Sequence, residues 1–231
     1  MIPFRDNVPA RRYPFVTVTL ILANVAAFIY ELSLQPGDLE ALLRTYGLVP
    51  ATLQAFPRAP LTVLGTLSGS LVSSTLLHGG FFHLIGNMWY LWIFGDNVED
   101  RMGSGRFLVF YLLCGILAGV AHIAFNPSSA VPTIGASGAV AGVLGAYLVS
   151  YPFAKVLTLV PFFFFFVVEV PAVLLLGFWF LVQFINGTAA FAGASDAMGG
   201  VAWWAHIGGF LSGMLLITFF ARKPVRPYVW D

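Results

Sequence analysis

Long apolar runs separated by short polar connections dominate the chain. A helix that crosses a bilayer needs ~20 mostly apolar residues, and five stretches meet that requirement: about 14 to 32, 79 to 98, 106 to 125, 136 to 153 and 202 to 221. The run from 156 to 186 is too long for one crossing and is interrupted by Pro161, Glu169 and Pro171. It predicts a sixth span near 171 to 187. The part before it, including Phe162 to Phe166, reads as an interfacial approach where proline breaks the helix. Residues 61 to 77 are apolar but rich in Gly, Ser and Thr, and no span is assigned to them. The pattern therefore predicts an all-α polytopic membrane protein with six transmembrane helices. The connection from about 33 to 78 is the largest soluble piece, and connections of that length tend to be functional.

Composition sharpens this picture. Hydrophobic residues make up 59% of the chain and charged residues 9%, far from the ~25% charged residues of a soluble domain. A water-soluble globule is excluded, and a formal charge of +1 provides no basic surface for nucleic acid. A lone cysteine, Cys114, forms no internal disulfide and builds no cysteine-based zinc site. No repeat period and no low-complexity linker divides the sequence, so residues 1–231 are read as a single membrane domain, with a core of about 14 to 221 and short cytoplasmic tails.

Six spans put both termini on one side, together with Arg5, Arg11, Arg12, Arg101, Arg106, Lys155, Arg222, Lys223 and Arg226, against Arg44 and Arg58 on the other. That asymmetry matches the positive-inside rule. Counting both ambiguous stretches as spans would preserve the same parity. The first 30 residues also resemble a signal peptide, but the apolar run is long and no small-x-small site precedes Glu31; a retained first helix is expected.

Polar side chains are costly within lipid, so those inside the spans are default candidates for function. They are His83 and Asn87 in the second span, His122 in the third, Ser137 opening the fourth and His206 in the sixth. Counting at ~1.5 Å per residue to each inner charged end gives ~27 Å for Ser137, ~24 Å for His206 and His83, and ~21 Å for Asn87. All four lie at similar height, below the outer face and above the middle of a ~30 Å core. One polar cavity open to the outside explains the coincidence. His83 and Asn87 at i, i+4 share a helix face. Gly209 and Gly213 lie on the face of His206, while Gly138, Ala141, Gly142 and Gly145 follow Ser137. Small residues let helices approach closely in lipid, so the fourth and sixth spans are expected to touch there and bring serine to histidine.

Each feature has a plainer reading. A serine in a membrane helix usually bonds back to its own backbone, and glycine stripes are often only packing surfaces. His122 reads as structural or interfacial, His78 as a structural cap or loop tether, Met88, Trp89, Tyr90 and Trp92 as lipid-facing or belt residues, and Glu169 as snorkelling or paired locally. In combination, however, Ser137 and His206 form a nucleophile and its base. No Asp or Glu lies at that depth to orient the imidazole, so backbone, water or packing must do it. The Asn87 amide, a ring N–H of His83 and backbone amides around Ser137 are the available oxyanion donors.

The segments His78-x4-His83-x3-Asn87-Met88, Glu99-x-Arg101-x-Gly103-Ser104-Gly105-Arg106, Gly135-Ala136-Ser137-Gly138 and Ala205-His206-Ile207-Gly208-Gly209-x3-Gly213 together resemble the rhomboid family of intramembrane serine proteases. The resemblance covers roughly 79 to 221. It implies a six-helix bundle, Ser137 as nucleophile, His206 as general base, and His83 and Asn87 as oxyanion-stabilising groups. It further implies membrane-anchored protein substrates cut in or near a transmembrane segment, with small residues near the scissile bond and no metal or cofactor. Two departures stand out. The position four residues after the serine, a tyrosine in some bacterial rhomboids, is Ala141 here, and the Trp-Arg pair that some members carry in the first outer loop is absent from 33 to 78. The alternatives are an inactive rhomboid-like adaptor that binds transmembrane segments, and a channel or transporter, which would ordinarily carry more intramembrane charge. The short tails and compact size point to a prokaryotic plasma membrane. A substrate helix must unwind to expose a carbonyl, and its expected entry is sideways near the fifth span, beside the outer loop Asn186 to Gly200.

Overall fold

The apolar runs become helices in the order the pattern requires. A computed structural model describes residues 1–162, 164–190 and 201–222. Phe163, residues 191–200 of the outer loop, and 223–231, which include Lys223 and Arg226, lie outside the described residues. The helices are α1 (Phe15–Ser33), α2 (Pro36–Tyr46), α3 (Pro60–Ser73), α4 (Phe81–Met102), α5 (Ser104–Phe125), α6 (Ser137–Ser150), α7 (Ala172–Ala189) and α8 (Trp203–Phe220). Helices α1, α4, α5, α6, α7 and α8 occupy the six predicted spans. Of these, α1, α5, α7 and α8 are long and apolar enough to cross a membrane on their own. The protein is a multi-pass, predominantly helical membrane protein, consistent with six spans.

Helix α6 is the hub. It packs on α4, α5, α7 and α8, and every residue from Gly138 to Tyr147 is buried. At 14 residues it is ~21 Å long, shorter than a ~30 Å hydrocarbon core. Ala136, just before it, is fully buried, so the helix starts inside the bundle, and its first residue is Ser137.

The inner end is tied by Glu99, only 2% exposed. Its carboxylate accepts the backbone N–H groups of Val16 at 3.0 Å and Thr17 at 2.8 Å, the Thr17 hydroxyl at 2.8 Å and the Ser104 hydroxyl at 2.5 Å. An anion against the unsatisfied amides of the α1 N-terminus is favourable on both hydrogen-bonding and dipole grounds. Gly103, at φ +84°, turns the chain between α4 and α5. The Glu99 to Arg106 motif thus locks three helices together.

Three expectations need correction. The stretch before α7, expected as an irregular approach where proline breaks the helix, is a β-hairpin: β2 (Lys155–Phe162) pairs antiparallel with β3 (Phe164–Pro171), and β1 (Ile2–Asp6) adds to the other edge of β2. The run is dense in Val and Phe, residues that fit a pleated surface, and Pro161 and Pro171 exclude a continuous helix. The N-terminal residues are consequently a strand held beside α4, where the Trp89 indole N–H donates to the Pro3 carbonyl at 2.6 Å and the Asn97 amide to Asp6 at 3.0 Å. Second, 33–78 is largely helical, and α3 makes an 86° bend with α4, lying across the bundle with Leu61 and Leu64 exposed. Third, only part of the aromatic belt faces outward. Met88 is in the core at 8% exposure and Tyr90 is half-buried, whereas Trp89 and Trp92 are exposed. Glu169 pairs locally, its carboxylate 3.4 Å from Lys155 Nζ.

Candidate functional site

Close backbone packing brings the serine to the histidine. A Cβ on Gly209 would stand 2.0 Å from the Gly138 carbonyl oxygen, one on Gly213 1.9 Å from that of Gly142, and one on Gly145 2.1 Å from that of Phe210. Only glycine permits α6 and α8 to meet this closely. At the top of this seam Ser137 Oγ lies 2.8 Å from His206 Nε2. Both side chains are half-buried and line a cavity of about 720 Å³, shared with His83, Asn87, Tyr90 and Trp179.

The loop entering α6 is held from several sides. His122 Nε2 lies 2.9 Å from the Thr133 hydroxyl, and Thr133 exchanges backbone hydrogen bonds with Leu48 at 2.8 and 2.9 Å. His122 thus tethers the segment before the serine and stands outside the cavity lining. His78 is equally structural: it is 2% exposed, and its backbone N–H donates to the Glu31 carboxylate at 3.1 Å. Gly135 adopts φ +120° and donates its N–H to the Ser74 carbonyl at 2.9 Å. A Cβ there would fall 2.6 Å from His83 Nε2 and 3.7 Å from Asn87 Nδ2, so a side chain at 135 would collide with the imidazole.

Those two polar groups therefore sit two residues before Ser137. His83 Nδ1 accepts the Gly79 N–H at 3.4 Å, which puts the ring proton on Nε2 and makes the atom beside Gly135 a donor. Asn87 is 7% exposed, and its buried Nδ2 has no hydrogen-bond partner. An unsatisfied buried donor is costly; here it borders a cavity where an incoming oxygen can accept from it. The first backbone amides of α6 add further donors, since helix geometry leaves them without i−4 partners.

Sequence reasoning missed Gln183. It lies on α7, 6% exposed, with Oε1 2.8 Å from His206 Nδ1 and Nε2 donating to the Trp179 carbonyl at 3.3 Å. The available signal was a strongly polar side chain in the middle of an apolar span. The Trp179 ring, 5.9 Å from the His206 ring and tilted 34°, backs the imidazole where Ala141 offers no aromatic group. No cluster of three or more His, Cys, Asp or Glu side chains that could hold a metal lies among the described residues.

Comparison with known proteins places the chain in a family. The Rhomboid domain family matches residues 68–223, from α3 to just beyond α8. Rhomboid protease GluP of Bacillus subtilis (strain 168) is 46% identical over 78 residues, 34% of this chain and 15% of that protein. Rhomboid protein 1, mitochondrial, of Saccharomyces cerevisiae is 32% identical over 158 residues, 66% of this chain and 42% of that one. The rhomboid YdcA of Bacillus subtilis (strain 168) is 29% identical over 221 residues, 94% of each chain. The chain thus spans less than half the length of the first two relatives and nearly all of the third.

Proposed function

Because this chain belongs to the rhomboid family, we propose that it is an intramembrane serine protease that hydrolyses peptide bonds in or near transmembrane segments of membrane-anchored proteins. The observation that carries this reading is the 2.8 Å contact between Ser137 Oγ and His206 Nε2 at the wall of a cavity. In the proposed reaction His206 Nε2 takes the Ser137 proton as Oγ bonds to the scissile carbonyl carbon. The carbonyl oxygen becomes an oxyanion, met by Asn87 Nδ2, His83 Nε2–H and the first amides of α6. One such donor is worth roughly 3 kcal/mol in a site that excludes bulk water. The C–N bond then breaks, and His206 gives its proton to the leaving amine. Water attacks the acyl-serine, its proton passes to His206 and on to Ser137, and the new carboxyl end departs.

Lipid supplies neither the water nor the extended substrate this chemistry needs. The cavity admits water-sized molecules, and a substrate helix unwinds to present its carbonyl there. We assign entry to the side between α4 and α7, whose Phe82, Gly86, Tyr90 and Trp179 border the cavity. The cavity opens to the outer side of a prokaryotic plasma membrane, with both termini cytoplasmic.

The test is cleavage of a single-span substrate protein by the purified chain in proteoliposomes. Cleavage that is abolished by Ser137→Ala and by His206→Ala is expected. Binding of the substrate without cleavage would instead support the adaptor reading, and cleavage that survives both substitutions would remove the dyad.

A further inference from the structure

We infer that Gln183 is the positioning residue that holds His206 in the tautomer a general base requires, so that the working unit is Ser137, His206 and a neutral amide from a third helix. The inference rests on the protease reading above and adds a residue to it.

The two ends of the Gln183 amide differ in what they can do. Its Nε2 donates to the Trp179 carbonyl one turn earlier on α7 at 3.3 Å, which turns Oε1 toward His206 Nδ1 at 2.8 Å. A carboxamide oxygen only accepts, so the proton of a neutral imidazole must lie on Nδ1. The lone pair is then on Nε2, the atom 2.8 Å from Ser137 Oγ. With the other tautomer, Nδ1 would meet an acceptor without a proton between them and Nε2 could not receive the serine proton. The ring is also confined sideways, by Trp179 at 5.9 Å and the edge of Trp203 at 6.3 Å.

An amide suits this place better than a carboxylate. Gln183 is 6% exposed on an apolar helix, where a charge carries a desolvation penalty that a neutral dipole avoids. The amide orients the base and accepts from the imidazolium that forms during reaction, while burying no permanent charge. It also links the base to the helix that flanks the cavity opposite α4: a movement of α7 that carries Gln183 away would release the His206 ring.

Three variants of the full chain in proteoliposomes test this, with nitrogen NMR of the imidazoles, fluorophosphonate labelling rates, and kcat and KM on a single-span substrate as readouts. The chain has 4 histidines, and His206→Ala identifies the His206 signal. The parent is expected to show His206 as the Nδ1–H tautomer. Gln183→Leu removes the acceptor and is expected to give mixed tautomers, a fall of about 100-fold in kcat and in labelling rate, and KM within about 2-fold, because a misoriented base slows chemistry rather than binding. Gln183→Glu keeps an acceptor oxygen in either protonation state and is expected to recover kcat to within about 5-fold of the parent. A purely structural role would move unfolding without changing the tautomer or separating kcat from KM. An active parent whose Gln183→Leu variant keeps kcat within about 3-fold overturns the positioning role and leaves the protease reading intact. A parent that neither labels nor cleaves overturns the protease reading, and the tautomer spectrum still reports the hold of Gln183 on His206. The parent spectrum also decides if Gln183→Leu does not fold: an Nε2–H signal for His206 contradicts the proposal.

Discussion

Two sides of the cavity are built in opposite ways. Along the seam between α6 and α8, glycines bring backbone against backbone, with carbonyl oxygens of one helix where Cβ atoms of the other would stand. The same helix α6 meets α5 through Gly138 against Ala118 and Gly142 against Cys114. Across the cavity, α4 and α7 face one another through large side chains, Tyr90 and Phe82 on one and Trp179 on the other, and Phe82 is 93% exposed. Backbone contacts leave no rotamers to adjust, so the seam fixes Ser137 against His206. Bulky side chains beside an open volume can repack, so the opposite flank is suited to admit a substrate. The difference teaches where each demand of intramembrane chemistry is met: reacting atoms on the inflexible side, access on the adjustable one, with Gln183 bridging them.

The largest expected effect comes from breaking the seam. Gly213→Ala places a methyl 1.9 Å from the Gly142 carbonyl oxygen, and neither backbone can yield without separating α6 from α8. Overpacking of this kind costs about 3 kcal/mol, and thermal or steric-trap unfolding in detergent should register it together with loss of fluorophosphonate labelling. Next is Asn87→Ala, at the boundary between seam and cavity. Loss of an oxyanion donor should lower kcat by about 100-fold while KM and unfolding change little, as read in a proteoliposome assay.

The inner end of α6 should respond to pH. Asp6 accepts hydrogen bonds from Tyr147 on α6 and Asn97 on α4, and burial raises its carboxyl from an ordinary 3.8 to about 6 against the lowering effect of those bonds. Between those values the unfolded chain has lost the proton that the folded chain keeps. Folding stability should therefore fall as pH rises from about 4 to about 6 and level off above. Asp6→Asn should reduce the slope of that segment of the unfolding profile. The smallest effect belongs to the adjustable side: Phe82→Ala should change unfolding by less than about 0.5 kcal/mol, and any change in activity should appear in KM for a transmembrane substrate.

How much of this was readable from residues alone follows from the kind of physics involved. Helix positions follow apolar length, and six helices lie on the predicted runs, four of them long and apolar enough to cross a membrane alone; α7 begins at Ala172 because Pro171 ends what precedes it. Small-residue spacing identified the α6 and α8 faces, since a 3.6-residue period maps directly onto a surface. The hairpin at 155–171 was not legible, because an unbroken apolar run carries no period that separates strand from helix, and the strand on its other edge, Ile2–Asp6, is far away in sequence. Gln183 was missed for a related reason. Its contact with His206 spans two helices, and no spacing rule within one helix encodes a contact across two. The same holds for Thr133 and His122, which meet only because the loop before α6 folds back.

The most direct measurement is intact-mass and peptide mapping of the reconstituted chain after exposure to a fluorophosphonate. A single adduct on Ser137, absent from Ser137→Ala and strongly slowed in His206→Ala, is the predicted result. An adduct on any other residue, or equal labelling of the Ser137→Ala chain, would contradict a nucleophilic serine at the head of α6.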